Sequence, residues 1–291
     1  MQEQNRIMKA LSGFYYVSTP HGIVECRARG RFRHEALTPM VGDLVRIQET
    51  GGKGVLEELL PRKNSFIRPA VANMDLLVLL CSCATPVTDP FLIDRVLAVA
   101  SRQDVQTLVC INKADLQDPA PLAEIYRHAG FRVLETSAQT GLGVDALRKE
   151  MEGRFTCFTG NSGVGKSSLL NRLLPELALP VGEVSEKLGR GRHTTRHIEL
   201  YRLNESTFAA DTPGFSSFEP EQLSQIPKQE LAAAFPDFAP FLGRCQFDDC
   251  AHLKEPGCAV REALEAGLLE PSRYESYVRL YDMLRTNSFV K

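Results

Sequence analysis

The chain has 291 residues, of which 43% are hydrophobic and 24% are charged, and its net charge is −2. This balance is typical of a globular protein, and the length is sufficient for two or three domains. No apolar run approaches the roughly 20 residues that a membrane-spanning helix needs, and residues 1–10 lack the apolar stretch of a signal peptide. We therefore expect a cytoplasmic protein without a membrane partner.

Residues 1–70 predict a small β-barrel. Segments 13–17, 22–29 and 43–47 are rich in aromatic or β-branched residues and are separated by glycines. A closed barrel is the natural arrangement for such a short meander. The same 70 residues carry 11 lysines and arginines against 7 acidic residues, whereas residues 219–291 carry 8 against 12. A basic N-terminal part is thus hidden inside a near-neutral total.

Residues 71–218 alternate apolar strands with helices. Strands are predicted at residues 75–80, 107–111, 132–136 and 155–159, helices at 91–102, 122–129, 144–151 and 166–174, and a hairpin at 197–203 and 206–210. This alternation indicates a mostly parallel sheet that is covered by helices on both faces. Residues 219–291 are helix-prone and are interrupted by prolines and a Cys/His cluster.

A phosphate-binding loop is predicted after the strand at residues 155–159. All fixed positions of the pattern G-x-x-x-x-G-K-[ST] are present, followed by a second serine: Gly160, Asn161, Ser162, Gly163, Val164, Gly165, Lys166, Ser167 and Ser168. Backbone N–H groups of such a loop and the start of the next helix bind phosphate oxygens. Lys166 is expected to reach the β- and γ-phosphates, and the Ser167 hydroxyl to bind Mg²⁺. A glycine-rich turn that matches by chance is the alternative.

Two loops that follow neighbouring strands predict a guanine pocket. The residues after the strand at 107–111 form the pattern N-K-x-D: Asn112, Lys113, Ala114 and Asp115. The Asp115 carboxylate can accept hydrogen bonds from guanine N1–H and the 2-amino group, whereas adenine would leave it unpaired. Lys113 can lie along the base, and Asn112 can tie this loop to the phosphate loop. The residues after the next strand match a loop that contacts the guanine carbonyl: Thr136, Ser137 and Ala138.

A carboxylate at the end of the predicted hairpin completes the nucleotide site. Asp211 begins the run Asp-Thr-Pro-Gly, which ends at Gly214. Asp211 is expected to hold Mg²⁺, and the Gly214 N–H to contact the γ-phosphate. In common GTPases the N-K-x-D pattern follows the phosphate loop, whereas here it precedes it. We therefore predict an α/β P-loop GTPase domain with circularly permuted motifs, since strand adjacency is spatial and exposed loops tolerate rejoining.

The basic, glycine-rich segment at residues 189–196 predicts a mobile loop near the γ-phosphate. A threonine there is expected to bind Mg²⁺; we favour Thr195, and Thr194 is the alternative. Many GTPases place a water-orienting glutamine after the Asp-x-x-Gly pattern, but Phe215 stands there and cannot orient water. His193 is the candidate replacement, and a solvated histidine without a role is the alternative. The predicted catalytic residues are His193, Thr195 and Lys166.

A structural zinc site is predicted near the C-terminus. Three cysteines and one histidine lie within 14 residues: Cys245, Cys250, His252 and Cys258. Three thiolates and one imidazole form a standard tetrahedral zinc set, and four protein ligands leave no open position for catalysis. Free cysteines with a chance histidine are the alternative.

A run of arginines around Phe32 suggests RNA binding at the barrel: Arg27, Arg29, Arg31 and Arg33. Alternate residues of a strand point to the same face, which would place the arginines together for phosphate contact, with Phe32 for base stacking. A solvated face without a partner is the alternative.

Together these motifs resemble a known family, the circularly permuted GTPases of small-ribosomal-subunit biogenesis (RsgA/YjeQ-like). The likeness covers nearly the whole chain and also includes the run Gly-Arg-His-Thr-Thr at residues 191–195 and the hydrophobic Phe215. It implies an N-terminal OB-fold barrel at residues 1–70, a GTPase domain at residues 71–218 and a helical zinc domain at residues 219–291. It also implies a late-acting assembly factor on the small ribosomal subunit and its rRNA, with weak GTPase activity that the subunit stimulates.

Two other functions remain open from the sequence. A GTPase switch that acts on a protein partner unrelated to the ribosome would use the same nucleotide site. A non-catalytic RNA-binding module would bind the nucleotide only as a structural ligand. We expect a monomer that binds GTP or GDP in each case, and turnover assays with and without small subunits separate the three functions.

Overall fold

The structure is a computed structural model that describes residues 5–30, 32, 37–67, 69–175, 198, 200–211, 223 and 226–286. The N-terminal strands are β1 (Asn5–Leu11), β2 (Phe14–Thr19), β3 (Gly22–Ala28), β4 (Leu44–Thr50) and β5 (Lys53–Leu59). They close into a barrel in the order β1-β2-β3-β5-β4, in which only β3 and β5 pair in parallel. Its interior is filled by apolar side chains, among them Ile7, Val17 and Leu56. The predicted barrel is confirmed.

A six-stranded sheet forms the centre of the molecule, after the two short strands β6 (Ser65–Phe66) and β7 (Val71–Ala72). Its strands are β8 (Leu76–Ser82), β9 (Gln106–Asn112), β10 (Arg132–Glu135), β11 (Phe155–Gly160), β12 (Leu200–Arg202) and β13 (Phe208–Asp211). The order is β10-β9-β8-β11-β13-β12, and every pair is parallel except the β12–β13 hairpin. The predicted, mostly parallel sheet with a terminal hairpin is confirmed.

Helices cover both faces of this sheet: α1 (Pro90–Arg102), α2 (Ala120–His128), α3 (Val144–Met151) and α4 (Lys166–Leu173). Helix α1 begins where the Asp89 side chain accepts the Phe91 N–H and where Pro90 needs no hydrogen-bond acceptor. Strand β8 is buried along its whole length. Leu77 and Leu79 face one apolar core, and Leu76 and Val78 face the other, as the continuous apolar run predicts.

The C-terminal part is helical. Three 3₁₀-helices (Lys228–Glu230, Ala232–Ala234 and Pro236–Phe241) precede α5 (Ala259–Glu265) and α6 (Pro271–Thr286). Phe235, Phe238 and Tyr277 pack their rings together with centroids 5.2–5.5 Å apart. Within the part of the chain that the structure describes, no helix has the length and apolar character to cross a bilayer. The domain limits 1–70, 71–218 and 219–291 stay a prediction.

The barrel packs beneath the strands that lead to the predicted nucleotide site. The Arg6 guanidinium lies 5.6 Å from the ring centroid of Phe155 and 5.2 Å from that of Phe208, the first residues of β11 and β13. Gly42 makes this approach possible, because a Cβ there would lie 2.7 Å from Phe155 Cε1 and 2.1 Å from the Ala72 carbonyl oxygen. The barrel and the sheet therefore share a close-packed contact at the edge opposite the site.

Candidate nucleotide site and metal centre

The loops predicted to bind the nucleotide leave the same edge of the central sheet. In the register of the parallel strands, Leu80 pairs with Gly160, Ser82 with Asn112, and Phe158 with Asp211. The carboxyl ends of β8, β9, β11 and β13 therefore lie side by side. In open α/β sheets, ligands bind in the crevice outside this edge.

The predicted phosphate loop has the backbone that such a loop requires. Gly163 and Gly165 have φ values of 80° and 89°, and α4 begins directly after Gly165. A Cβ at Gly165 would lie 2.4 Å from the Asn112 side-chain nitrogen, so only glycine fits there. Ser167 and Ser168 are half-buried in the first turn of α4. The loop N–H groups and the positive end of α4 can thus converge on one anion.

Lys166 and Asp211 form an ion pair at the end of β13. Both side chains are largely shielded, with 16% and 28% of their surface exposed. The lysine predicted to bind phosphate thus lies against the carboxylate predicted to bind Mg²⁺. The lysine can pair with a phosphate oxygen and the carboxylate with a divalent cation. The two side chains therefore suit a phosphate group and a cation that are bound together.

The Asn112 side chain joins three loops. Its Nδ2 donates to the Val164 carbonyl of the phosphate loop over 2.9 Å, and its Oδ1 accepts the Ala138 N–H over 3.1 Å and the Thr136 hydroxyl over 3.3 Å. Asn112 is only 1% exposed. The side chain therefore uses both ends of its amide to fix the predicted phosphate loop against the predicted guanine loops.

The predicted base-reading loop is held from two sides. The Ala114 N–H donates to the Thr136 carbonyl over 3.1 Å, and Lys113 Nζ donates to the Thr85 carbonyl over 2.6 Å. Lys113 has a φ of 67°, and Asp115 is exposed. Buried Ser137 accepts the Thr140 N–H at its Oγ over 3.0 Å. The Asp115 carboxylate is thus exposed to a ligand, on a loop that these hydrogen bonds hold in place.

Sequence reasoning missed the loop between β8 and α1, at residues 83–89. This loop lies beside both nucleotide motifs. At the phosphate loop, a Cβ on Gly163 would be only 3.0 Å from Pro86 Cγ. Next to the base-reading motif, the Cys83 thiol lies 3.3 Å from the Gln117 carbonyl oxygen. It has no recognisable motif. Only its position in the fold could have indicated a role, since it leaves a central strand at the same edge of the sheet as the phosphate loop.

The four predicted metal ligands lie together. Their ligand atoms are all within 4.8 Å of one another, and the His252 Nδ1 is 3.5 Å from the sulfur atoms of Cys245 and Cys258. Burial raises the pKa of the Cys250 thiol to about 12 and lowers the pKa of the His252 imidazole. A cation reverses this effect on thiols by stabilising the thiolate. The donor set and spacing fit a structural metal ion.

Local hydrogen bonds shape the metal loop. The Glu255 carboxylate accepts the backbone N–H groups of Ala251, Leu253 and Lys254. The Tyr274 hydroxyl of α6 donates to the His252 carbonyl over 2.8 Å. These bonds hold the histidine toward the thiols and attach the loop to the last helix.

Several predicted residues lie outside the described residues: Arg31, Arg33, His193, Thr194, Thr195 and Gly214. At the barrel, Arg27 lies on β3 with its guanidinium 4.6 Å from the Phe14 ring centroid. Arg29 pairs with Glu57 just beyond β3, which ends at Ala28. The expectation that a strand carries the whole arginine run is wrong, as is base stacking by Phe32, which is 3% exposed in the barrel core.

Comparison with known proteins identifies the family. The model described as RsgA GTPase matches residues 59–221, and the one described as RsgA N-terminal domain matches residues 4–56. The small ribosomal subunit biogenesis GTPase RsgA of Moorella thermoacetica is 46% identical over 278 residues, which cover 94% of this chain and 95% of that protein. Its counterpart from Caldanaerobacter subterraneus is 42% identical over 281 residues, with 95% and 94% covered.

Two solved structures share the whole architecture. YjeQ from Thermotoga maritima matches with a TM-score of 0.82 at 33% identity, covering 97% of this chain and 98% of that one. YloQ, a circularly permuted GTPase, matches with a TM-score of 0.79 at 37% identity, covering 98% and 95%. The predicted permuted fold is confirmed, and this chain is a GTP-hydrolysing enzyme that belongs to the RsgA GTPase family.

Proposed function

We propose that this GTPase acts in the late maturation of the small ribosomal subunit, in the cytoplasm, and that the subunit stimulates its hydrolysis of GTP to GDP and phosphate. The observation that carries the nucleotide part of the proposal is the Asn112 side chain, which joins the three loops suited to guanine and phosphate. The relatives bear the name small ribosomal subunit biogenesis GTPase, which supports the choice of partner.

The guanine specificity is assigned to Asp115. Its exposed carboxylate would accept hydrogen bonds from N1–H and the 2-amino group of the base. Lys113 would cover the base, and the loop that carries Ser137 and Ala138 would lie beside the guanine carbonyl. The N–H groups of residues 160–168 and the Lys166 ammonium would hold the phosphates.

For hydrolysis, a water molecule attacks the γ-phosphorus and the bond from that phosphorus to the β–γ bridging oxygen breaks. GDP and inorganic phosphate leave, and the proton of the water passes to the phosphate. Lys166 would stabilise the charge that grows on the bridging oxygen, and His193 would position the water. When bound by Ser167, Asp211 and Thr195, Mg²⁺ neutralises charge on the β- and γ-phosphates. The N–H of Gly214 would contact the γ-phosphate.

We assign zinc to the Cys₃His cluster. Zinc prefers this tetrahedral set of thiolates and imidazole, and zinc–sulfur distances of about 2.3 Å place sulfur atoms somewhat under 4 Å apart. The sulfur atoms of Cys245 and Cys258 are 4.0 Å apart. With four protein ligands the ion would be structural and would support the residues around it.

The barrel is assigned to rRNA. An open pocket of about 750 Å³ on its surface is lined by Phe14, Tyr15, Arg27 and Arg29, among others. Cationic side chains beside aromatic rings suit a phosphate backbone with unstacked bases. Arg31 and Arg33, which lie outside the described residues, are assigned to the same RNA contact from the sequence alone.

GTP hydrolysis by the purified monomer, measured with and without purified small subunits, tests the proposal. Acceleration by small subunits, with none by large subunits, supports it. Turnover that is indifferent to small subunits favours a switch that acts on an unrelated protein partner. Equal turnover of ATP would contradict the role of Asp115.

A further inference from the structure

We infer that the C-terminal helix α6 positions the guanine side of the nucleotide pocket, acting through helix α1. The inference rests on the proposed nucleotide site and adds a residue set to it. A continuous series of contacts supports it. The series runs from α6 to the first turns of α1, and from there to the β8–α1 loop and the nucleotide motifs.

Helix α6 contacts the N-terminal half of α1 through two arginines. The Arg273 guanidinium donates to Asp94 over 2.7 Å, and both side chains are essentially excluded from water, with 1% and 0% of their surface exposed. Further along the same helix, the guanidinium carbon of Arg279 lies 3.7 Å from the ring centroid of Phe91. Phe91 and Asp94 belong to the first two turns of α1.

Arg273 is also fixed on its other side. It donates to Asp237 at the last 3₁₀-helix, and its guanidinium lies 4.9 Å from the Phe235 ring centroid. A buried ion pair tolerates only a narrow range of positions, because neither partner can turn to water for its hydrogen bonds. The pair therefore fixes where α1 sits relative to the C-terminal part.

Hydrogen bonds tie the β8–α1 loop to the start of α1. The Thr88 N–H donates to the Ser82 carbonyl over 3.0 Å, and the Ser82 N–H donates to the Thr88 hydroxyl over 2.9 Å. Asp89 then caps α1 by accepting the Phe91 N–H over 2.9 Å. These bonds close the two ends of the loop on each other and join its last residues directly to the first turn of α1.

The loop in turn supports the nucleotide pocket. The Thr85 carbonyl accepts Lys113 Nζ over 2.6 Å, Pro86 packs against Gly163, and Cys83 lies beneath the backbone of the base-reading loop. A shift of α1 would therefore move the support of Lys113 and of the phosphate loop together. A partner that moves α6 would change nucleotide affinity, and a bound nucleotide would change affinity for that partner equally.

The test measures dissociation of a fluorescent GDP analogue from the full chain. Arg279→Ala is the main variant, because Arg279 is exposed and its loss leaves no buried charge. Arg285→Ala is the matched control, an exposed arginine of the same helix that pairs only with Asp282 of α6 among the described contacts. We expect Arg279→Ala to speed dissociation about fivefold or more, Arg285→Ala to have no effect, and Arg279→Lys to restore most of the loss, since it keeps a cation over the ring.

A second variant removes the buried network as a whole: Arg273→Met with Asp94→Asn and Asp237→Asn, which leaves no unpaired charge. If it folds and retains metal, its dissociation should be faster still. Wild-type dissociation rates in Arg279→Ala, or equal changes in Arg279→Ala and Arg285→Ala, would overturn the inference. Failure of the unaltered chain to bind the GDP analogue would instead overturn the proposed nucleotide site.

Discussion

The candidate metal centre and the candidate nucleotide site are built in opposite ways. The four predicted metal ligands fall within residues 245–258, in a loop that contains little regular structure. The nucleotide loops are spread from residue 82 to residue 211 and meet only because four parallel strands end side by side. One site is local in sequence, and the other exists only once the sheet has formed.

This difference predicts what each ligand does for its site. A short loop without regular secondary structure depends on its ion for a defined shape, as small zinc modules do. Loops at the end of a buried sheet are held by the core beneath them, where strand β8 is fully buried. Loss of the ion should therefore unfold its site, whereas loss of the nucleotide contacts should cost chemistry and leave the fold intact.

Metal removal should have the largest effect on structure. Chelation, or Cys258→Ser, should expose the backbone amides of residues 245–258 to solvent exchange while those of β8, β9 and β11 stay protected. Structural zinc binds with an apparent free energy of about 10 kcal/mol or more, most of which is folding energy of the site. Cys26→Ser, at a buried thiol of the barrel core, is the control and should retain the metal. Unchanged exchange after chelation would break the comparison.

Lys166→Ala should have the largest effect on chemistry. Removing a preorganised group that stabilises transition-state charge costs about 100-fold or more in rate. The thermal midpoint should change little, because Lys166 is part of the first turn of α4 and not of the core. Lys149→Ala, on the exposed face of α3, is the matched control and should hydrolyse GTP normally. A Lys166→Ala protein that unfolds would show that this site also depends on its own ionic contacts.

The same difference explains how much of the fold could be predicted from the sequence. The strands and helices between residues 75 and 174 were predicted to within about two residues at each end, because continuous apolar runs and caps mark buried parallel strands and their helices. Strands β1 and β5 were missed. Their pairing partners in the closed barrel, not an alternating pattern of their own, define them as strands.

The sites divide similarly. The grouping of the four Cys/His side chains could be predicted from spacing alone, because all four lie within one loop of 14 residues. The motifs of the nucleotide site could be predicted, but the Thr85 carbonyl and the contact of Pro86 with Gly163 could not, since backbone atoms leave no sequence pattern. Phe32 was misjudged because a strand was extended past Ala28, where the chain turns the ring into the barrel.

Asn112→Ala should have an intermediate effect. It leaves the Val164 carbonyl and the Ala138 N–H without their buried partner, at about 2 kcal/mol, or roughly 30-fold in GDP affinity. Asn204→Ala is the matched control, because the Asn204 side chain accepts the Ser206 and Thr207 N–H groups in the β12–β13 turn, far from the nucleotide edge. We expect both variants to lower the thermal midpoint, but only Asn112→Ala to weaken GDP binding by calorimetry. Equal weakening by both would mean that affinity follows global stability.

Glu255→Gln should have the smallest effect, and it separates the ion from the loop that holds it. Burial alone would raise the pKa of Glu255, but the backbone N–H donors outweigh it and hold that pKa below its ordinary value. The carboxylate is therefore charged at neutral pH. Its stabilisation of the metal loop is fully present above the ordinary pKa of a glutamate and is lost as the pH falls through the lowered pKa. Glutamine accepts the same N–H groups more weakly, so metal affinity at neutral pH should fall by about fivefold or less, corresponding to about 1 kcal/mol. Competition with a chromophoric chelator measures this, with Glu262→Gln on exposed α5 as the control. A larger loss, approaching that of Cys258→Ser, would show that the carboxylate shapes the site as much as the ion does, and that the local loop carries its own fold.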